Sequence, residues 1–181
     1  MKHAFSIVRS FFFAALFIAL QVWYLPQWVG IRGHWGAPMN EPWRWAGIVP
    51  MVCGAALALA CVWRFGTTGE GTPMPLDPPR KFVVVGPYRF VRNPMYLGMA
   101  MTLIGEAVLF AEWASLVRIV WYGLALVVIT QCFVHFYEEP TLRRKFGSEY
   151  EEYCRRVNRW VPRFRTKLVV LLLEMPNIQQ A

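Results

Sequence analysis

Residues 83–98 read VVVGPYRFVRNPMYLG, and their reading decides the fold. An apolar run stops at Gly86-Pro87, Arg89, Arg92 and Asn93 follow, and Pro94 opens a second apolar stretch. Gly-Pro enforces a turn. Proline suits the first turn of a helix and pushes the residue before it, Asn93, toward extended geometry at a natural cap position. The segment is thus the polar doorway of an apolar helix. In its plainest reading Asn93 caps that helix, while Arg89 and Arg92 meet lipid phosphates on the positive side of a membrane.

Working outward, the chain has 181 residues, of which 56% are hydrophobic, above the apolar share of an ordinary soluble domain. Four segments, residues 10–28, 45–65, 94–111 and 113–137, are apolar enough to cross about 30 Å of hydrocarbon at about 1.5 Å per residue. The first is expected to be retained, because WYLPQWVG offers no small-residue cleavage site. Glu112 alone clearly separates the third from the fourth, which predicts a tight helical hairpin. Glu106 and Arg118 would then stand at similar depths, either as an ion pair or with Arg118 snorkelling to the interface. Trp23, Trp28, Trp43, Trp45, Trp63 and Trp113 fall near the expected span ends, as interfacial anchors do.

Charge distribution sets the orientation. Nine of the nineteen Lys and Arg follow Glu139, residues 64–92 hold five, and the outer loop holds only Arg32 and Arg44. The N-terminus, middle loop and tail are therefore expected to share a basic, cytoplasmic side, that of a bacterial inner membrane or its equivalent. The net charge of +8 fits this asymmetry better than a nucleic-acid footprint. Cys53, Cys61, Cys132 and Cys154 show neither CxxC nor metal-ligand spacing, so no metal site is expected and the thiols are read as reduced. The expected fold is an all-α polytopic membrane bundle of about four transmembrane helices with a cytoplasmic amphipathic helical cap. It forms one membrane domain: spans in 1–65, a cytoplasmic loop 66–93, the hairpin 94–137 and a helical tail 138–181.

Within the loop, Pro73, Pro75, Pro78 and Pro79 exclude helix. After the fourth span Pro140 predicts a bend at Glu138-Glu139. Leu142, Phe146, Tyr150, Tyr153 and Val157 then form one apolar stripe opposed by Arg143, Arg144, Lys145, Arg155 and Arg156. Gly147 interrupts it, and Ser148 with Glu151 makes a capping-box pattern. The pair lies on the membrane surface or caps the bundle. The run LVVLLLEM, 168–175, is too short to span.

Glu138 and Glu139 sit at the depth where the third span begins. Adjacent on a helix, they point about 100° apart, so at least one faces the bundle. Acidic groups at a boundary lined with arginine imply a pocket of both signs or ion pairing with Arg143 and Arg144.

GPYRFVRNPMYLG, then a hairpin, then YEEPTLRRKFGSEYEEYCRRVNRWVPR resembles the isoprenylcysteine carboxyl methyltransferase and phospholipid methyltransferase superfamily of integral membrane enzymes. The family pattern is approximately G-x-Y, R-H-P-x-Y-x-G, a hairpin, E-E, F-G-x-x-Y-x-x-Y and V-P-R, and it covers residues 75–165. The resemblance implies S-adenosylmethionine bound at the cytoplasmic face and a lipophilic or lipidated acceptor entering from membrane lipid. It places Tyr88, Arg92, Asn93, Pro94, Tyr96, Gly98, Glu138 and Glu139 at the cofactor, with Arg92 and Glu139 as catalytic residues and Arg89 as an acceptor contact. Gly98 would let ligand approach the backbone, and Tyr96 would pack on the adenine.

Asn93 departs from the family's His and cannot titrate. That leans toward an acceptor needing no base, a carboxylate, phenolate or neutral group, with His135 as a substitute base or a packed side chain. Two other readings compete. Sterol-reductase-type membrane enzymes share the R-H-P-x-Y block and use reduced nicotinamide, but Met95 and Met99 depart from their pattern; a non-catalytic membrane adaptor would need no ligand at all.

Overall fold

The computed structural model describes residues 8, 11–12, 15–16, 19–28, 41–69, 82–110 and 116–162. The described residues contain helices and turns and no strand. A π-helical turn Ala19–Tyr24 runs into α1 (Leu25–Trp28). A 3-10 turn Pro42–Gly47 feeds α2 (Ile48–Arg64), which ends in the π-helical turn Phe65–Gly69. After the 3-10 turn Gly86–Arg89 come α3 (Pro94–Phe110) and α4 (Leu116–Phe133), then the π-helical turn Val134–Glu138, α5 (Glu139–Phe146) and α6 (Ser148–Arg156).

Two continuous helical stretches, Pro42–Gly69 and Val117–Phe146, are long and apolar enough to cross a membrane, and Pro94–Phe110 is a shorter apolar helix. On α4 the outward side chains include Val117 (69% exposed), Trp121 (68%), Val127 (66%) and Ile129 (63%). At about 100° per residue these positions surround most of the helix. A helix apolar on nearly every side and little covered among the described residues suits lipid rather than water.

Among the described residues α3 packs extensively against α2, and no seam of that extent joins it to α4, the partner that the short Glu112 connection suggested. Glycine decides the partner. A Cβ placed on Gly98 would lie 2.7 Å from the Gly54 carbonyl oxygen and 2.9 Å from the Ala58 nitrogen, and one on Gly47 would lie 2.6 Å from the Gly105 oxygen. Two glycines seven residues apart on each element let the backbones touch, as small residues do between membrane helices. α4 offers one glycine, Gly123, with nothing within 4 Å of its Cβ position. In the expected hairpin, Glu106 is buried and Arg118 exposed; the connecting turn at 111–115 lies outside the described residues.

The amphipathic stripe is used inside the protein. Tyr150, Tyr153 and Val157 are buried and, with the partly buried Leu142 and Phe146, pack with Phe82 and Val84 from the stretch before the doorway. Phe82 is the hub, its ring centroid 5.1 Å from Phe146, 5.8 Å from Tyr150 and 5.2 Å from Tyr153, the last two edge to face. One local expectation gives way. Gly147, at φ +54, occupies the N-cap of α6 with no side-chain capping bond, so Ser148 is the first helical residue and no capping box forms. Pro140 stands in the first turn of α5, as its fixed φ allows, and the helical run from Val117 reaches it through the π turn Val134–Glu138. The run 168–175 and residues 70–81 lie outside the described residues.

Candidate functional site

Gly86 adopts φ +62, which lets the chain reverse before Tyr88. Tyr88 is buried, edge-on to Phe65 at 5.5 Å, and its carbonyl accepts a 2.7 Å hydrogen bond from the Tyr153 hydroxyl. That bond ties the doorway to α6. At Arg92 and Asn93 the segment after α6 returns and is stitched to the turn. Arg92 N–H donates to the Asn158 oxygen at 2.9 Å, and Asn93 Nδ2 donates to the Arg159 oxygen at 3.3 Å. The Asn93 side chain therefore holds the return segment, while its carbonyl accepts the first bond of α3 from Leu97 N–H at 3.3 Å. The side chain's buried position beside Pro94 is fixed by the bond to Arg159.

One turn into α3, the Tyr96 hydroxyl donates to Glu138 Oε2 at 3.0 Å, and its ring meets Trp160 edge-on at 6.3 Å. Trp160 Nε1 donates in turn to Gln131 Oε1 at 3.0 Å. Gln131 and Glu138 are thus linked through Trp160 and Tyr96.

Glu139, 3% exposed, is enclosed by arginine. Arg159 grips it with two parallel bonds, Nε to Oε1 at 2.8 Å and Nη2 to Oε2 at 2.7 Å. Arg92 Nη1 lies 3.1 Å from Oε1, and the half-exposed Arg143 is 3.7 Å from Oε2 while also bound to Glu151 at 2.9 Å. The two-pronged geometry is the strong form of this interaction, and the screened Arg143 contact adds little. Arg92 Nη1 also donates to Cys154 Sγ at 2.7 Å.

Burial works against the Arg92 charge, yet Glu139 outweighs it and the guanidinium pKa is pushed up. Burial likewise pushes up the phenols of Tyr88, Tyr150 and Tyr153, which stay protonated at neutral pH. Among the described residues, Arg92 Nε is buried with no hydrogen-bond partner. An orphaned buried donor costs about 1–3 kcal/mol, which an acceptor supplied by a ligand would recover.

Of the residues singled out from the sequence, Arg92, Asn93, Pro94, Tyr96, Glu138 and Glu139 converge, with Tyr88 tied to them through Tyr153. Arg89 is exposed, and so is His135, whose ring is edge-on to its neighbour Phe136. Gly98 is spent on the α2 contact. Asn158, Arg159, Trp160, Gln131 and Cys154 belong to the cluster and were not singled out. Gln131 carried a signal, being an amide within an apolar span.

Residues 43–149 match the family model described as phospholipid methyltransferase. Two curated proteins from rice, Oryza sativa subsp. indica and subsp. japonica, each named probable protein-S-isoprenylcysteine O-methyltransferase, are 32% identical to the chain over 85 residues. The match covers 45% of this chain and spans 41% of the length of each relative. No solved structure matches.

Proposed function

Since the chain belongs to the phospholipid methyltransferase family, we propose that it is an S-adenosylmethionine-dependent methyltransferase. It acts at the inner leaflet on a lipophilic acceptor, either a prenylcysteine carboxylate, the kind of substrate named for the rice relatives, or a phospholipid headgroup. The observation that carries this reading is that Tyr96 on α3 and Glu138 beyond α4 share a 3.0 Å hydrogen bond although 42 residues apart. Arg92 and Glu139 meet beside them at 3.1 Å. Two separated blocks of chain thus build one polar edge from opposite charges.

The residues suit the cofactor's charges. A carboxyl group fits the orphaned Arg92 Nε–H, and an ammonium or ribose hydroxyls fit Glu138, which keeps an oxygen beyond the one bound by Tyr96. When bound, S-adenosylmethionine supplies a methyl group on a positively charged sulfur that departs as a neutral thioether. Arg92 and Glu138 then bind and orient. Tyr96 keeps the Glu138 carboxylate directed. Glu139, enclosed by arginines, positions Arg92 instead of touching ligand. The aromatic packing of α5 and α6 on Phe82 excludes water from one side. No side chain need remove a proton from an acceptor that is already anionic, which accords with Asn93 and with an exposed His135. In this reading the chain is one membrane domain of four spans with both termini cytoplasmic, Arg89 faces the acceptor headgroup, and nucleic acid is no partner.

Isothermal titration of detergent-purified protein with S-adenosylmethionine and with NADPH tests the proposal. Binding of the first alone is expected; binding of NADPH alone would turn the reading to a reductase, and of neither to a non-catalytic adaptor. Incubation with donor carrying a heavy methyl group, followed by mass spectrometry of lipid extracts, identifies the acceptor as the species that gains the label.

A further inference from the structure

Arg159 lies beyond the residues matched by the family model, which end at 149, yet it touches both halves of the site. Its guanidinium takes both oxygens of Glu139, and its carbonyl accepts from the Asn93 side chain. The residue before it, Asn158, accepts from the Arg92 amide, and the one after it, Trp160, bonds Gln131 and lies on Tyr96. Three consecutive residues of one short return segment therefore hold the α3 doorway and the α4 to α5 junction in register. Among the described residues the main helix seam joins α3 to α2, and no seam of comparable extent joins α3 to α4.

We infer that Arg159 is a positioning residue for the donor site. Resting on the reading of that site as the methyl-donor pocket, the inference assigns to Arg159 the orientation of Glu139, and through it of Arg92. With both Glu139 oxygens gripped, the carboxylate offers Arg92 a fixed edge at Nη1, which leaves Nε as the donor without a protein partner. Remove the fork and Glu139 is free to turn onto Arg92, satisfying the donor that the ligand requires. Lysine at 159 would restore charge but not two parallel bonds.

The test uses the full chain in detergent or nanodiscs, as wild type, Arg159→Gln and Arg159→Lys, with the exposed Arg156→Gln on α6 as control. Hydrogen exchange is followed by mass spectrometry in peptides covering 88–98 and 131–146 without ligand, alongside S-adenosylmethionine affinity and the unfolding temperature. Arg159→Gln is expected to speed exchange at the Arg92 and Leu97 amides and in the second peptide about tenfold, and to weaken donor affinity about tenfold per folded molecule. Arg159→Lys should recover the exchange in part and the affinity less; Arg156→Gln should change neither. Unaltered exchange in both peptides overturns the inference whether or not the wild type binds donor, and so does a lowered unfolding temperature with unchanged affinity in a donor-binding protein. A wild type that binds no donor, with exchange still coupled through Arg159, defeats the functional reading and leaves the positioning standing.

Discussion

Replacing Gly98 with alanine tests how the fold holds the site. A Cβ at that position would stand 2.7 Å from the Gly54 oxygen, 2.9 Å from the Ala58 nitrogen and 3.4 Å from its Cα, all backbone atoms of α2 with no rotamer to yield. A comfortable carbon-to-oxygen approach is about 3.3 Å, so α3 must retreat by about 0.6 Å at this level. A gap of that size forfeits about a quarter to a half of each dispersion contact along the seam, and overpacking of this kind costs about 1–3 kcal/mol. Activity should suffer more than stability. Gly98 is one turn past Pro94 and two residues past Tyr96, and the retreat moves Tyr96 relative to Glu138, which stands on the far helix; displacements near 1 Å cost about a hundredfold in rate. Gly123→Ala is the matched control, since nothing lies within 4 Å of its Cβ position, and it should stay within about 1 kcal/mol of wild type. Unfolding in mixed micelles and methyl transfer from heavy-methyl donor are measured on both. If Gly98→Ala unfolds and turns over like Gly123→Ala, the glycine seam does not set the site.

The two glutamates should separate by experiment. Glu139→Gln leaves Arg92 and Arg159 facing a neutral amide and should cost about 3–5 kcal/mol in unfolding free energy, whereas Glu138→Gln should cost about 1 kcal/mol and act chiefly by weakening S-adenosylmethionine binding in titration. Tyr153→Phe removes the bond to the Tyr88 oxygen and should cost about 1–2 kcal/mol, read by the same unfolding assay. Because burial raises the Tyr150 and Tyr153 pKa values above that of the unfolded chain, their contribution is complete below about pH 10 and is lost as the pH rises further. Unfolding temperatures at pH 8 and pH 11 should differ less in Tyr150→Phe than in wild type.

Apolar runs and proline punctuation made the helices legible. Pro94 begins α3 as its fixed φ allows, and the Leu142 to Val157 stripe turns the face its spacing specifies onto Phe82. The partner of α3 was not legible in the same way. Connection length favoured α4, but what brings helices together in an apolar solvent is how closely their backbones can approach, and the Gly47, Gly54, Gly98 and Gly105 spacing carries that information. The site was half visible for a related reason. Arg92, Asn93, Tyr96, Glu138 and Glu139 stand where apolar sequence meets polar, so each is conspicuous. Arg159 stands among nine cations after Glu139, and summing them into a charge asymmetry hides that one has two bonds to a buried carboxylate.

The division of labour between Glu138 and Glu139 follows from the same geometry. A carboxylate 3% exposed that already receives a two-pronged arginine and a second guanidinium has little capacity left for ligand, and exchanging those bonds for new ones would gain little. Its neighbour has one hydrogen bond, from a tyrosine on another helix, and a second oxygen still to use. The π turn immediately before the pair adds a residue to the helical turn and so changes the phase of everything after it. An uninterrupted α-helix would set the pair at other angles, so the widened turn at 134–138 fixes which glutamate meets Arg159 and which meets Tyr96. A deletion within 134–138 that restored regular α-helix should therefore abolish donor binding while leaving α4 helical by circular dichroism; retained binding would mean that either glutamate can serve.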